Sequence, residues 1–174
     1  MALDPTSEKF ILHWGEMGAR WGVNRTVSQI HGLLFLSERP LHAEEIADTI
    51  SVARSNVSTS LKELQAWGLI KVTHVLGDRR DHFVGLQDIT DLFRVIVEER
   101  KRREIDPTLA LLRECVNEKD PKASAYARLK IETTLEFLET LNRWHDEMKG
   151  VPMPMLMSLV RLGGRVQKFL RKAA

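Results

Sequence analysis

Hydrophobic positions recur at helical spacing along most of the chain. In the first stretch, Phe10, Trp14, Met17 and Trp21 follow one another at intervals of four, three and four residues, which places them on one stripe of a helix. The pattern is interrupted mainly by glycine and proline, the residues that commonly end helices. It predicts helices over residues 5–22, 24–37, 42–50, 53–67, 88–104, 106–117, 123–149 and 153–172.

One region departs from this period. Residues 69–75 (LIKVTHV) are rich in β-branched side chains, and residues 82–86 (HFVGL) offer a second strand. The loop between them, LGDRRD, contains turn-forming Gly and Asp together with two arginines, Arg79 and Arg80. We therefore predict a two-stranded β-hairpin with a basic tip inside a mainly α protein.

The helix predicted over residues 53–67 begins with small polar side chains that helix propensity disfavours. Its apolar stripe consists of Val57, Leu61 and Leu64, at positions i, i+4 and i+7. With that stripe inward, the outward positions are Arg54, Ser55, Asn56, Ser58, Thr59 and Lys62. Such a face suits a partner covered with hydrogen-bonding groups, although capping-type residues also begin ordinary surface helices.

The outward residues carry the chemistry of base recognition. An arginine can pair bidentately with guanine and an asparagine with adenine, while Ser and Thr hydroxyls can donate or accept. Arg79 and Arg80 at the hairpin tip can reach a neighbouring minor groove or the phosphate backbone. Two short helices followed by a basic-tipped hairpin is the order of a winged helix-turn-helix, so we expect DNA binding. The acidic residues of the preceding helix, Glu44 and Asp48 among them, are then expected mostly off the DNA face.

Three stretches of the sequence carry a resemblance to a known family. The stretch HAEEIADTI, the stretch ARSNVSTSLKELQAWGLIKVTHVLGDRRDHFVG and the opening FILHWGEMGARWGVNRTVSQIHGLLFLSERPL resemble the GbsR branch of the MarR-type winged helix-turn-helix transcriptional regulators. The resemblance covers residues 8–105 well and the rest loosely. It departs at Ser51, where such proteins often have Gly, and at Ala53, where a Ser N-cap is usual. Its most specific part falls on Arg54, Asn56, Ser58, Leu61, Glu63, Leu64, Trp67, Gly68 and Leu69.

The resemblance implies a cytoplasmic, homodimeric DNA-binding regulator, often a repressor, whose small-molecule effector is unknown. We divide the chain into N-terminal helices that support the dimer and core (1–37), a winged helix-turn-helix (38–87), and a helical dimerisation and effector region (88–174). The apolar face of the helix over residues 123–149 is broader than a two-helix contact needs, so part of it should meet a second chain. Two-fold symmetry would then place two recognition helices over an inverted repeat of double-stranded DNA.

The aromatic residues leave two readings open. Trp14, Trp21, Phe137 and Trp144, with Tyr126, can build an aromatic pocket for a cationic effector such as a quaternary amine. Alternatively, the same rings belong to the core or the dimer interface. The basic run over residues 100–103 is similarly open, because it suits either a solvated helix end or contact with DNA phosphate.

Charge limits how strongly DNA binding can be inferred. The chain of 174 residues has a net charge of only +2, and residues 1–87 hold nine Lys or Arg against ten Asp or Glu. A winged-helix protein-interaction module without specific DNA binding therefore remains the alternative. The N-terminal residues do not have the pattern of a signal peptide and no run is apolar enough for a membrane helix, so we expect a cytoplasmic protein with no membrane partner.

The sequence offers no catalytic or metal-binding motif. Its six histidines include no pair at i, i+4 spacing and no HExxH, and no glycine-rich nucleotide loop is present. The single cysteine, Cys115, excludes an intramolecular disulfide and a cysteine-based zinc site. We therefore expect no enzyme activity, no catalytic residues, no metal and no cofactor.

Overall fold

The computed structural model describes residues 3–118 and 124–162, which are mainly helical. They divide into two compact units, with the division between Glu99 and Arg100. The helices are α1 Pro5–Arg20, α2 Arg25–Leu36, α3 Ala43–Ile50, α4 Arg54–Ala66, α5 Ile89–Arg100, α6 Asp106–Glu118 and α7 Ala125–Met148, with a π-helical turn at Lys101–Ile105. The strands are β1 Leu41–His42, β2 Ile70–Thr73 and β3 His82–Gly85. Residues 153–162 are also helical.

Local sequence signals account for most of the observed helix starts. The side chains of Asp4, Asn24 and Ser124 accept hydrogen bonds from first-turn amides of α1, α2 and α7. Asp88 does the same for the turn that leads into α5, through the amides of Thr90 and Asp91. The predicted break at Pro121 and the predicted helical residues 163–172 lie outside the described residues.

The β-hairpin is present, but it belongs to a three-stranded sheet. The strand order is β1-β3-β2 and both pairings are antiparallel. β2 pairs with β3 from Ile70 opposite Gly85 to Thr73 opposite His82. The additional strand, β1, pairs Leu41 with Phe83 and His42 with His82. Two residues are too few to show an alternating pattern, so the sequence did not predict β1.

The core of the first unit lies between α2, α3, α4 and the sheet. Ile30, Leu34 and Ile46 are fully buried, and Leu64 is 1% exposed. α1 packs against α2 at Gly18, where a Cβ would lie 1.9 Å from the Ser28 hydroxyl oxygen. Gly18 therefore permits the close packing of α1 on α2.

In the second unit, α6 packs against α7. Leu109 is buried, and the Nε atom of Arg113 lies 2.9 Å from Oε1 of Glu139. No residue of α7 is buried within the described chain. Its exposed apolar side chains are Tyr126, Leu129, Phe137, Leu141 and Trp144.

α6 begins at Asp106, as the sequence predicts, but no break precedes it, because Asp106 has helical backbone angles (φ −60°, ψ −43°). Proline lacks the amide donor of a regular α-helix, and its ring crowds the carbonyl four residues earlier. The wider π-helical turn at Lys101–Ile105 precedes it, and the Thr108 hydroxyl donates to the Glu104 carbonyl at 2.6 Å. The helical backbone therefore accommodates Pro107 without ending.

Candidate nucleic-acid interface

α3 is fixed at its start by a reciprocal cap. The amide of Glu45 donates to Nδ1 of His42, and the Glu45 carboxylate accepts from the amide of His42. Arg39 also donates to that carboxylate at 2.6 Å. The hydrogen bond from Arg39 lowers the pKa of Glu45 to about 2, and the bond from the His42 amide adds to it. These hydrogen bonds hold the first turn of α3 to the residues just before it, Arg39 and His42.

The turn between α3 and α4 has a left-handed residue. Ser51 has φ 54° and ψ 45°, and it is the one non-glycine residue with positive φ in the described chain. Val52 then donates its amide to the carbonyl of Ala47 at 3.1 Å. This explains why related turns often carry Gly at this position, since Gly adopts such angles without steric penalty.

α4 presents the predicted polar face. Val57, Leu61 and Leu64 are at most 2% exposed, which confirms them as the inward stripe. The residues proposed for base contact, Arg54, Ser55, Asn56, Ser58, Thr59 and Lys62, are all exposed. The N-cap residue, Ala53, makes no side-chain capping bond, so the first amides of α4 are left for an external acceptor such as a phosphate oxygen.

The tip of the hairpin holds its two arginines differently. Arg80 donates from its backbone amide and from Nε to the Asp78 carboxylate, at 3.0 and 2.9 Å. These hydrogen bonds lower the pKa of Asp78 well below its usual range, and the same carboxylate raises the pKa of Arg80 above its usual value. Arg79 is exposed and makes no ion pair with the described residues. The turn itself is made by Gly77, which has φ 86°.

The structure brings the polar face of α4 and the hairpin tip together through one acidic residue. Glu44, in the first turn of α3, accepts from Arg54 at 2.8 Å and from Arg80 at 3.2 Å. Glu44 therefore lies between two arginines that are predicted to contact DNA, and not on a separate surface. The sequence places Glu44 and Arg54 on neighbouring helices. That Glu44, Arg54 and Arg80 meet depends on how α3 and α4 cross beside the hairpin, which the sequence does not show.

The residues predicted to bind an effector have different surroundings. Trp14 packs against the core of the first unit, donates from Nε1 to Nδ1 of His31 at 3.0 Å, and stacks on Phe10 with ring centroids 5.3 Å apart. Trp21 is 51% exposed, while Phe137 and Trp144 on α7 are 62% and 58% exposed. A packing role thus accounts for Trp14, and the effector pocket stays a prediction.

Metal-binding clusters and membrane-spanning helices are both absent from the described residues. They contain no cluster of three or more His, Cys, Asp or Glu side chains arranged to hold a metal ion. None of their helices combines the length and apolar character needed to cross a membrane.

Part of the chain is similar to known proteins. The family model described as MarR family matches residues 21–81, the segment that runs from α2 through α3 and α4 to the hairpin tip. Residues 21–81, less than half of the chain, are thus similar to the MarR family. The winged helix-turn-helix with its β-hairpin and helical region is therefore confirmed as the fold class.

The individual relatives of this chain are distant. It is 22% identical over 94 residues to the HTH-type transcriptional repressor GbsR of Bacillus subtilis (strain 168), a match that covers 54% of this chain. The match spans 52% of that relative, about half its length. The family match and this relative together support the resemblance to the GbsR branch.

One solved structure shows the same fold. A crystal structure of a transcriptional regulator superposes with a TM-score of 0.66 at 20% identity, covering 84% of this chain and 97% of the other. An S. aureus MepR mutant bound to an oligodeoxyribonucleotide has a TM-score of 0.40 at 16% identity, covering 78% of this chain and 92% of the other.

Proposed function

We propose that the protein is a sequence-specific DNA-binding transcriptional regulator. One observation carries this: α4 buries its apolar stripe and exposes Arg54, Asn56 and their small polar neighbours beside an arginine-tipped hairpin. Arginine and asparagine are the side chains that discriminate guanine and adenine in the major groove. The match of residues 21–81 to the MarR family model supports the same function.

The proposal assigns different tasks to the two elements. Arg54, Ser55, Asn56, Ser58, Thr59 and Lys62 lie in the major groove, where they contact base edges and nearby phosphates. Arg79 and Arg80 contact the backbone or the minor groove, where their charge holds the protein on the duplex without reading each base pair. Specificity then comes mainly from α4, and the hairpin supplies affinity.

We further propose that the regulator is a homodimer that represses transcription from an inverted-repeat operator. The apolar side chains of α7 support this, because a row containing Phe137, Leu141 and Trp144 is left exposed in one chain. A second copy related by two-fold symmetry would bury such a face and present two α4 helices to DNA. The repressor named among its relatives suggests the direction of control. A small-molecule effector at Trp14, Trp21, Phe137 or Trp144 remains part of the proposal.

A DNA titration tests the function. Fluorescence anisotropy on the DNA upstream of the protein's own gene, with a scrambled duplex as control, should show tighter binding to the native segment. Arg54→Ala and Asn56→Ala should each weaken specific binding by about 1–3 kcal/mol, because each removes a bidentate base contact. Arg79→Ala should weaken binding to both duplexes alike and make the salt dependence shallower.

The alternative function is a protein-interaction module. The balance of nine basic and ten acidic residues over 1–87, and the acidic partners of Arg54 and Arg80, favour it. Equal and weak binding to both duplexes at low salt, with no loss on Arg54→Ala, would support this module and contradict the regulator.

A further inference from the structure

Glu44 pairs with two of the three arginines of the proposed interface, Arg54 and Arg80. Its Oε1 lies 2.8 Å from Nη1 of Arg54, and its Oε2 lies 3.2 Å from Nη1 of Arg80. One carboxylate thus joins the recognition helix α4 to the hairpin tip, and it does so through the two guanidinium groups. A phosphate or a guanine edge would use the same donors.

The two arginines depend on Glu44 to different degrees. Arg54 makes no other ion pair with the described part of the chain, so Glu44 is its acidic partner there. Arg80 has a second one, because its Nε also donates to Asp78. Removing the charge of Glu44 should therefore release Arg54 fully, while Asp78 continues to hold Arg80 in its position at the tip.

The pairs are open to solvent and can exchange partners. The side chain of Arg54 is 70% exposed, that of Arg80 49% and that of Glu44 43%. Ion pairs at such sites contribute little to stability, since water screens them and holding two long side chains costs entropy. They can still influence binding, because DNA would bring many negative charges next to the Glu44 carboxylate.

Glu44 is not required to cap α3. Glu45 already completes the reciprocal cap with His42 and binds Arg39, whereas the Glu44 carboxylate points to Arg54 and Arg80. A negative charge in the first turn of a helix is mildly favourable through the helix dipole, but other side chains provide this as well. The position of Glu44 is thus better explained by its arginine contacts than by helix stability.

We propose that Glu44 is an internal competitor of DNA that sets the affinity of the regulator. In the free protein its carboxylate holds Arg54 and Arg80, and both must leave it when DNA binds. The inference rests on the proposed DNA-binding function. It adds a specific consequence: wild-type affinity is weaker than the interface could provide, because part of each arginine–DNA interaction replaces an arginine–Glu44 interaction.

The central variant is Glu44→Gln, which keeps the shape of the side chain and removes its charge. Asp48→Asn is the matched control, because Asp48 lies one turn later on α3, is exposed and makes no ion pair with described residues. Both variants change the net charge equally. Circular dichroism should show the same helical content for both, which would exclude unfolding as the cause of any difference.

Fluorescence anisotropy should show that Glu44→Gln binds native upstream DNA about tenfold more tightly than wild type, with a steeper loss of affinity as salt rises. Asp48→Asn should change affinity by about twofold or less, because its charge is screened and contacts no arginine. Arg54→Ala should lose more affinity in the Glu44→Gln background than in the wild type. Arg79→Ala should lose the same in both backgrounds.

An unchanged or weaker affinity of Glu44→Gln would overturn the competitor proposal, since Glu44 would then support the arginines in their DNA-binding positions. Equal gains for Glu44→Gln and Asp48→Asn would also overturn it, because net charge alone would explain them. In either case specific binding by the wild type would leave the regulator function intact. If neither the wild type nor Glu44→Gln binds any duplex at low salt, the proposed function itself fails.

A measurement without DNA separates these cases further. In NMR spectra of the free protein, the guanidinium Nε–H signals of Arg54 and Arg80 should shift in Glu44→Gln and stay in place in Asp48→Asn. The Arg79 signal should not move in either variant. Unchanged Arg54 and Arg80 signals in Glu44→Gln would show that the ion pairs are absent in solution, and the competitor proposal would fail whatever the DNA titrations show.

Discussion

The buried imidazole of His31 should make the first unit lose stability in mild acid. His31 is 3% exposed and stacks between Trp14 and Phe35, with ring centroids 5.9 and 6.4 Å away. Its Nδ1 accepts from Trp14, so Nε2 carries the proton, and Nε2 has no hydrogen-bond partner among the described residues. Burial lowers the pKa of His31 from 6.5 to about 4, because a charged ring would lose its hydration there.

The direction follows from the two pKa values. The unfolded chain binds a proton near pH 6.5, whereas the folded protein resists it until about pH 4. Stability is therefore full above pH 6.5 and falls as the pH drops from 6.5 to 4. A shift of this size corresponds to about 3 kcal/mol, at a slope of at most about 1.4 kcal/mol per pH unit. Most of the loss should be complete before carboxylates with lowered pKa, such as Glu45, begin to contribute.

Urea denaturation followed by circular dichroism, repeated at intervals between pH 7 and pH 4.5, measures this loss. His31→Asn is the test variant, because its Oδ1 can accept from Trp14 in place of Nδ1 and it does not titrate. It should be less stable at pH 7, where ring contacts are lost, and should lack the slope of the wild type. His13→Asn, at an exposed position of α1, should keep that slope. A constant difference between wild type and His31→Asn across the range would refute the reasoning.

Two further predictions concern folding of the same unit. Ala53→Ser should raise the free energy of unfolding by about 1 kcal/mol in urea titrations, because α4 begins without a side-chain cap. A loss of stability would mean that the first turn of α4 cannot receive a serine cap. Gly18→Ala should lower the free energy of unfolding by about 1–3 kcal/mol, because the new Cβ would lie 2.6 Å from the Cβ of Ser28. Combining it with Ser28→Gly should recover most of the loss, and no recovery would place the strain elsewhere.

Local patterns in the sequence predicted the elements that depend on local forces. The stripe of Val57, Leu61 and Leu64 follows from helical spacing, and the hairpin follows from a β-branched run before Gly77 and a short apolar run after it. The outward set on α4 is then fixed by elimination, so the exposure of Arg54 and Asn56 could be predicted. Their contact with DNA is a matter for the titrations proposed above.

Features that depend on distant residues were not predictable in the same way. β1 is two residues long and exists because His82 and Phe83 offer a pairing edge some forty residues later. The place of Glu44 depends on the angle between α3 and α4 and on the reach of Arg80. A pattern of charges along the chain distinguishes outward from inward positions, but it does not show which outward positions meet.

The pairing of β1 with β3 has a mechanical consequence. His42 is both the last residue of β1 and the N-cap of α3, so the sheet that contains the hairpin shares a residue with the start of the helix-turn-helix. Tilting the hairpin alone would break the pairing of Leu41 with Phe83 and pull on the start of α3. The hairpin and α3 should therefore move as one stiff body. Bending the hairpin separately would require breaking the pairing of β1 with β3. A ligand or modification that changes DNA affinity must therefore displace the hairpin and α3 together, or act on the charged side chains at their surface.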